Sequence, residues 1–147
     1  MTAGWPRDGG CRCGRLRFRV IAPPILTMVC HCAGCQRMTG GPFSWSAAFR
    51  PSDFEILQGE PVIGGLHGEI RHQFCAHCMS WVFTQPPGDS IVNVRAPMLD
   101  DASDLEPFME TCAAEKLDWV TTPVVRSFPV FPGLDDWFEL TAAYAAR

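Results

Sequence analysis

Cys30-His31-Cys32-Ala33-Gly34-Cys35 sets three thiols within six residues, and two pairs flank it in the chain, Cys11-Arg12-Cys13 and Cys75-Ala76-His77-Cys78. Seven of the eight cysteines fall in these clusters. At such spacings they divide into four and three. A closed tetrahedral zinc site takes four protein ligands, whereas a reactive one takes three and keeps a position for water or substrate. The arithmetic suggests one structural and one catalytic metal, two zinc ions per chain.

Spacing says how each cluster can bind. In an extended Cys-x-Cys the two sulfurs fall on one side of the strand, and a Cys-x-x-Cys turn brings its sulfurs together as a knuckle. Pairing Cys11/Cys13 with Cys75/Cys78 makes a closed four-thiolate site that ties the start of the chain to its middle. By spacing alone, Cys30 and Cys32 could instead complete either site. Structural zinc contributes an apparent ~10–16 kcal/mol in small peptides, against a domain stability of ~5–15 kcal/mol, so its loss is expected to unfold much of the domain. Cys30, Cys32 and Cys35 then remain as a three-sulfur cup. Strand alternation turns His31 away from it. Gly40-Gly41, just beyond, reads either as a source of backbone amides near the open position or as an ordinary turn. Cys75-Ala76-His77-Cys78 also has the spacing of a dithiol oxidoreductase, but that chemistry sets the motif at a helix start, and Ser80 to Thr84 is strand-like. The runs do not match the common ferredoxin spacings.

The composition is that of one globular domain over residues 1–147: 47% hydrophobic and 19% charged, with 13 Pro and 13 Gly that favour short strands and turns. Net charge is −4, which argues against a sequence-independent grip on nucleic acid. The cations are eleven Arg and a single Lys, Lys116. Arg7, Arg12, Arg15, Arg17 and Arg19 crowd the first cysteine pair, while Asp100 to Asp118 carries seven acids. Two solvated faces are expected, with an anion-attracting face as the functional alternative. Met1 to Gly10 lacks the apolar core of a signal peptide, and no run approaches the ~20 apolar residues of a bilayer span. The expected setting is therefore the reducing cytoplasm without a membrane partner, where clustered cysteines are metal ligands or redox groups rather than disulfides. A homodimer is left open.

Alternation in Leu16 to Ile21 predicts a half-buried strand that Pro23-Pro24 ends. Ile25 to Cys30 is a second, delivering the three-cysteine cluster at its end. Ser44–Phe49, Phe54–Leu57, Glu69–Phe74, Ser80–Thr84 and Ile91–Val94 read as further strands, with a turn at Pro51-Ser52-Asp53. Helical turns are expected only around Cys35–Met38 and Ala102–Ala114. The C-terminal segment with Pro123, Pro129 and Pro132, and its tail over 132–147, is expected to be irregular and to wrap the domain. The fold class is mainly β, of antiparallel sheets with short helical turns. Trp45, Trp81, Trp119 and Trp137 are core candidates before pocket walls, Cys112 reads as a small buried hydrophobe, and Asp100-Asp101 as a turn or helix cap. His31 and His77 read as surface or ligand-supporting residues and His67 and His72 as exposed or strand residues, so no general base stands out.

Gly9-Gly10-Cys11-Arg12-Cys13-Gly14, Cys30 to Arg37 with Gly40-Gly41, and Phe74 to Cys78 together resemble the glutathione-dependent formaldehyde-activating enzyme family, which shares its domain with centromere protein V. Met98 to Asp101, Pro107, Lys116 and Trp119 look like its downstream pattern, so the resemblance runs over about residues 5–131. It implies a zinc-binding β-tent of twisted antiparallel sheets. It also implies Cys11, Cys13, Cys75 and Cys78 on a structural zinc and Cys30, Cys32 and Cys35 on a catalytic one. The activity implied is carbon–sulfur lyase chemistry, interconverting glutathione plus formaldehyde with S-hydroxymethylglutathione, with a small thiol such as glutathione as partner. Three positions depart from the family's usual pattern: Met79 stands for Gly, Glu110 for His and Asp118 for Pro. None replaces a cysteine.

The thiol-holding reading has two competitors. A non-catalytic zinc module presenting a binding surface would close the second site with a fourth protein group or a non-exchanging ligand. A redox zinc switch would release metal and form disulfides under mild peroxide.

Overall fold

Short alternating segments cut by Pro and Gly cannot build long elements, and the chain folds accordingly. A computed structural model describes residues 3–66 and 68–147; His67 lies outside them. Its elements in chain order are β1 (Arg7–Gly10), β2 (Arg17–Val20), β3 (Leu26–Cys30), α1 (Ala33–Thr39), β4 (Ser44–Phe49), β5 (Phe54–Gln58), β6 (Pro61–Gly64), β7 (Arg71–Cys75), β8 (Trp81–Gln85), β9 (Val92–Arg95), β10 (Met109–Thr111), β11 (Arg126–Ser127) and α2 (Leu134–Ala145). The protein is mainly β, with a three-stranded sheet ordered β1-β2-β5 and an eight-stranded sheet ordered β11-β10-β3-β4-β9-β8-β7-β6. Pairing is antiparallel except at β10, which runs parallel to β3 and β11.

Period-two alternation fixes what each face of the large sheet covers. Ala47 and Phe49 of β4 and Val92 and Val94 of β9 pack with Leu16, Phe18 and Val20 from the small-sheet side. Ala48, Leu26, Met28 and Met109 face the other way, where α2 lays down Leu140 and Tyr144. The large sheet is thus sandwiched between the small sheet and one helix, and β4 is covered on both faces, by apolar residues on one and by Ser44, Ser46 and Ala48 on the other.

Two expectations fail here. Ala102–Ala114 carries a helical turn only at its end, the 3-10 segment Ala113–Glu115: Pro107 interrupts the rest, and Met109–Thr111 pairs with β3 instead. The tail over 132–147 is not irregular but forms α2, started by Asp135 and Asp136 in its first turn, with the Asp136 carboxylate accepting the Gly133 N–H at 3.1 Å.

Strand direction gathers the chemistry at one end of the large sheet. β4 is antiparallel to both β3 and β9, so β3 and β9 run the same way and finish there at Cys30 and Arg95. β10 finishes beside them, with Thr111 opposite Cys30. β7 also ends there, at Cys75, and β8 begins there, at Trp81. The small sheet brings Cys11 to the same place because β1 bridges to Leu99 through Gly9. Only glycine permits that approach: a Cβ at Gly9 would lie 2.4 Å from the Met98 carbonyl oxygen. The segregated charges pair across this junction, Arg17 with Asp100 and Arg7 with Asp104, both bidentate. Arg7 and Arg17 are thus paired with acids from the Asp100–Asp118 stretch.

Candidate functional site

The structure brings together Cys11, Cys13, Cys75 and Cys78, and separately Cys30, Cys32 and Cys35; within each group the sulfurs all lie within 4.8 Å of one another. Four sulfurs about 2.3 Å from a tetrahedral zinc would sit about 3.8 Å apart. Cys11 and Cys13 are 3.5 Å apart and Cys13 and Cys75 3.7 Å. Both groups could hold a metal ion, and the four-sulfur one has the dimensions of a tetrahedral site.

Local structure supplies donors to these sulfurs. The Leu16 amide donates to Cys11 at 3.3 Å, the His77 amide to Cys75 at 3.4 Å, and the Ser80 hydroxyl lies 3.2 Å from Cys78. Burial resists ionisation of Cys78, but the Ser80 hydroxyl and amide outweigh it and bring the thiol down to about 5. Cys13 goes the other way. The Arg15 amide favours its thiolate, yet desolvation and the three neighbouring sulfurs push it up to about 11. The same split marks the second group. A hydrogen bond from Cys35 brings Cys30 down to about 5 against burial, while Cys35 is raised by Cys30 and by burial. Adjacent thiolates repel, so one sulfur of a bare cluster ionises at its neighbours' expense. A divalent cation removes that conflict and lets all of them ionise.

The three-sulfur group is built on α1. Cys30 closes β3, Cys32 caps the helix and accepts the Cys35 N–H at 3.2 Å, and Cys35 sits in the first turn. Gln36 fastens the helix by donating to the His31 and Glu115 carbonyls at 2.7 and 3.1 Å. Gly40 ends the helix with φ +67, a left-handed cap that favours glycine. Its amide donates to the Gln36 carbonyl at 2.9 Å and that of Gly41 to the Thr39 hydroxyl at 3.2 Å. The turn reading of these glycines therefore holds, and both amides are spoken for.

His31 points away from the sulfurs, as alternation requires, but it is core and not surface: fully buried, edge-on to Phe43 at 5.6 Å, with Nε2 3.4 Å from Glu110. Burial lowers its pKa, against the Glu110 charge that raises it, so the ring is neutral at pH 7. Glu110, 2% exposed, accepts from Lys116 at 2.9 and 3.2 Å and from Thr122 at 2.8 Å. Sequence reasoning passed over this buried pair, although a lone Lys among eleven Arg was a signal. Cys112 is buried as expected, its thiol facing Cys30. His77 is exposed, and His72 is a strand residue whose Nδ1 lies 2.9 Å from the Thr84 hydroxyl.

A cavity of about 500 Å³ is walled by residues that follow each cluster, Met38 and Thr39 after Cys35 and Met79 and Ser80 after Cys78, with no cysteine in its lining. Trp45 and Trp81 line it while packing inward, whereas Trp119 is 74% exposed and belongs to no core. Met79 adopts φ +59. That left-handed position explains why the family pattern there is Gly. Arg95, which no motif flagged, completes the wall. Among the described residues, no helix is long and apolar enough to cross a membrane.

A twisted-sheet β protein with two sulfur clusters at one sheet end is the class that fold and site define. Residues 6–115 match the family model of the glutathione-dependent formaldehyde-activating enzymes, and the chain belongs to that family. It is 29% identical, over 95% of its length and 94% of the relative's, to a Halomonas elongata protein whose name places it with the same enzymes. A crystal structure of a Rhodobacter sphaeroides protein shares the fold, with a TM-score of 0.54 at 20% identity over 66% of this chain and 91% of that one.

Proposed function

We propose that the chain is a zinc-dependent carbon–sulfur lyase-type enzyme acting on a thiol adduct, of the kind that links glutathione and formaldehyde with S-hydroxymethylglutathione. The observation that carries the reading is the inequality of the sulfur groups: four sulfurs at tetrahedral spacing, and three at the helix that leads into the cavity. In this reading Cys11, Cys13, Cys75 and Cys78 hold a structural zinc and Cys30, Cys32 and Cys35 a reactive one. The second ion, when bound, would favour the thiolate of a substrate thiol and polarise an aldehyde oxygen.

The reaction itself is an addition without redox change. The sulfur bonds to the carbonyl carbon, the C=O π-bond becomes a C–O single bond, and the thiol proton ends on that oxygen; the lyase direction reverses each change. The chain holds three sulfurs in place through the Cys32 cap and the Gln36 tether, and the cavity beside them is walled largely by apolar side chains. All eight cysteines are free thiols, which suits the reducing cytoplasm as the working compartment.

One observation favours a second reading, the non-catalytic zinc module. Cys112 is buried and its thiol interacts with Cys30, so although it lies outside the three-sulfur group it is the nearest candidate to close the second site. Zinc-edge absorption separates the two: lyase chemistry predicts that glutathione replaces a light-atom neighbour with sulfur at one ion and that adduct forms by NMR. An unchanged four-sulfur spectrum, converted to three by Cys112→Ser, would mean a structural module.

A further inference from the structure

Arg95 ends β9 in a position that an ordinary structural arginine does not occupy. It is 6% exposed, yet among the described residues no carboxylate lies within ion-pair distance of it. Its guanidinium stacks 4.2 Å from the centroid of the Trp81 ring. Of its five N–H donors, one reaches the Asn93 carbonyl at 3.3 Å, and Nε has no hydrogen-bond partner among the described residues. A buried cation with unused planar donors at a cavity wall is equipped for a ligand.

Sheet register ties this residue to the sulfur group. Cys30 is paired with Ser44, Ser46 stands two residues along β4, and Ser46 is paired with Arg95. Paired residues and residues two apart share a face, so the Cys30 and Arg95 side chains leave the same face of the large sheet, toward the same end. The electrostatics agree: burial lowers the Arg95 pKa to about 10, against the charges of Cys35 and Cys30, which raise it. It stays cationic at neutral pH.

We propose that Arg95 is the specificity-determining residue of the cavity, binding a carboxylate of the thiol substrate with its guanidinium fork and so selecting thiols that carry an acid group. The proposal rests on the lyase reading above. A carboxylate fits better than a phosphate because the rest of the lining is uncharged, with Met38, Met79 and Met98 as adaptable walls. One positive charge matches one negative charge.

The test uses the zinc-loaded full chain and two thiols of nearly equal size, 3-mercaptopropionate and 3-mercaptopropionamide, with calorimetric Kd and, for turnover with formaldehyde, KM and kcat read separately. The wild type is expected to bind the acid about ten- to a hundredfold more tightly than the amide, the range of charge-assisted hydrogen bonds. Arg95→Met should abolish that preference by weakening the acid alone, and Arg95→Lys should restore part of it, all with unchanged metal content. Equal binding of acid and amide by the wild type overturns the proposal whether or not the variants fold, as does an equal loss of both in a folded Arg95→Met. Propionate, which has no thiol, separates the two readings. If no thiol is ligated or turned over but propionate binds to the wild type and not to Arg95→Met, the lyase reading fails and the carboxylate site stands. Turnover without acid preference does the reverse.

Discussion

Replacing Lys116 with Met would strand the Glu110 carboxylate inside the protein. Glu110 is 2% exposed, and among the described residues Lys116 supplies its only full positive charge, at 2.9 and 3.2 Å; Thr122 adds a neutral hydrogen bond. His31, 3.4 Å away, is held neutral by burial and cannot take over the role. Removing one member of a buried ion pair costs about 3–5 kcal/mol. Because the Lys116 side chain is 27% exposed, water can reach the gap, and about 3 kcal/mol is the reasoned value. For a chain of this size that corresponds to a fall in Tm of about 10 °C.

The pH dependence gives a second handle. Burial pushes the Glu110 pKa up, but the Lys116 and Thr122 hydrogen bonds and the Lys116 charge hold it below the ordinary 4.5. A folded-state pKa below the unfolded one contributes stability above pH 4.5 and loses it as pH falls through the folded value. In Lys116→Met burial prevails and the sign reverses, so the gap between wild type and variant should narrow from pH 7 to pH 4. The double variant Lys116→Met/Glu110→Gln should recover most of the loss. Urea unfolding of the metal-loaded proteins measures all three. A loss below about 1 kcal/mol in Lys116→Met, the range of an exposed pair, refutes the idea that this charge neutralises a buried one.

Further outcomes follow from the same structure. Cys13→Ser should lose the four-sulfur ion and, with it, cooperative folding, seen as loss of one equivalent of metal together with the thermal transition. Met79→Gly should relieve a left-handed strain of about 1–2 kcal/mol, less about 0.5–1 kcal/mol of added chain entropy, and raise Tm by a few degrees. Gly9→Ala, whose new methyl would meet the Met98 carbonyl oxygen at 2.4 Å, should destabilise by more than about 2 kcal/mol; an unchanged Tm would show that the junction between the sheets is loose.

Much of the fold was legible because cysteine spacing and period-two alternation are local signals. Leu16 to Ile21, Ser44 to Phe49 and Ser80 to Thr84 alternate or carry β-branched and aromatic residues, and each became a strand. Met109–Thr111 gave no local cue because three residues acquire their conformation from pairing with β3. α2 was hidden by the prolines before it, although Asp135-Asp136 and the alanines that follow are helix signals in their own right. The sulfur groups were legible from motif and resemblance together. Arg95 was not, since an arginine becomes unusual only when its burial and its lack of a carboxylate partner among the described residues are known. Glu110 was noticed as a departure from a pattern, but its meaning needed Lys116 and Thr122 brought beside it.

Metal analysis of the purified wild type and of Cys32→Ser, with zinc-edge absorption on both, bears most directly on the unequal coordination of the two sites. The expected result is two zinc ions per chain in the wild type, falling to one in Cys32→Ser with the thermal transition kept and the remaining ion surrounded by four sulfurs. Loss of both ions with global unfolding, or a single ion in the wild type, would contradict it.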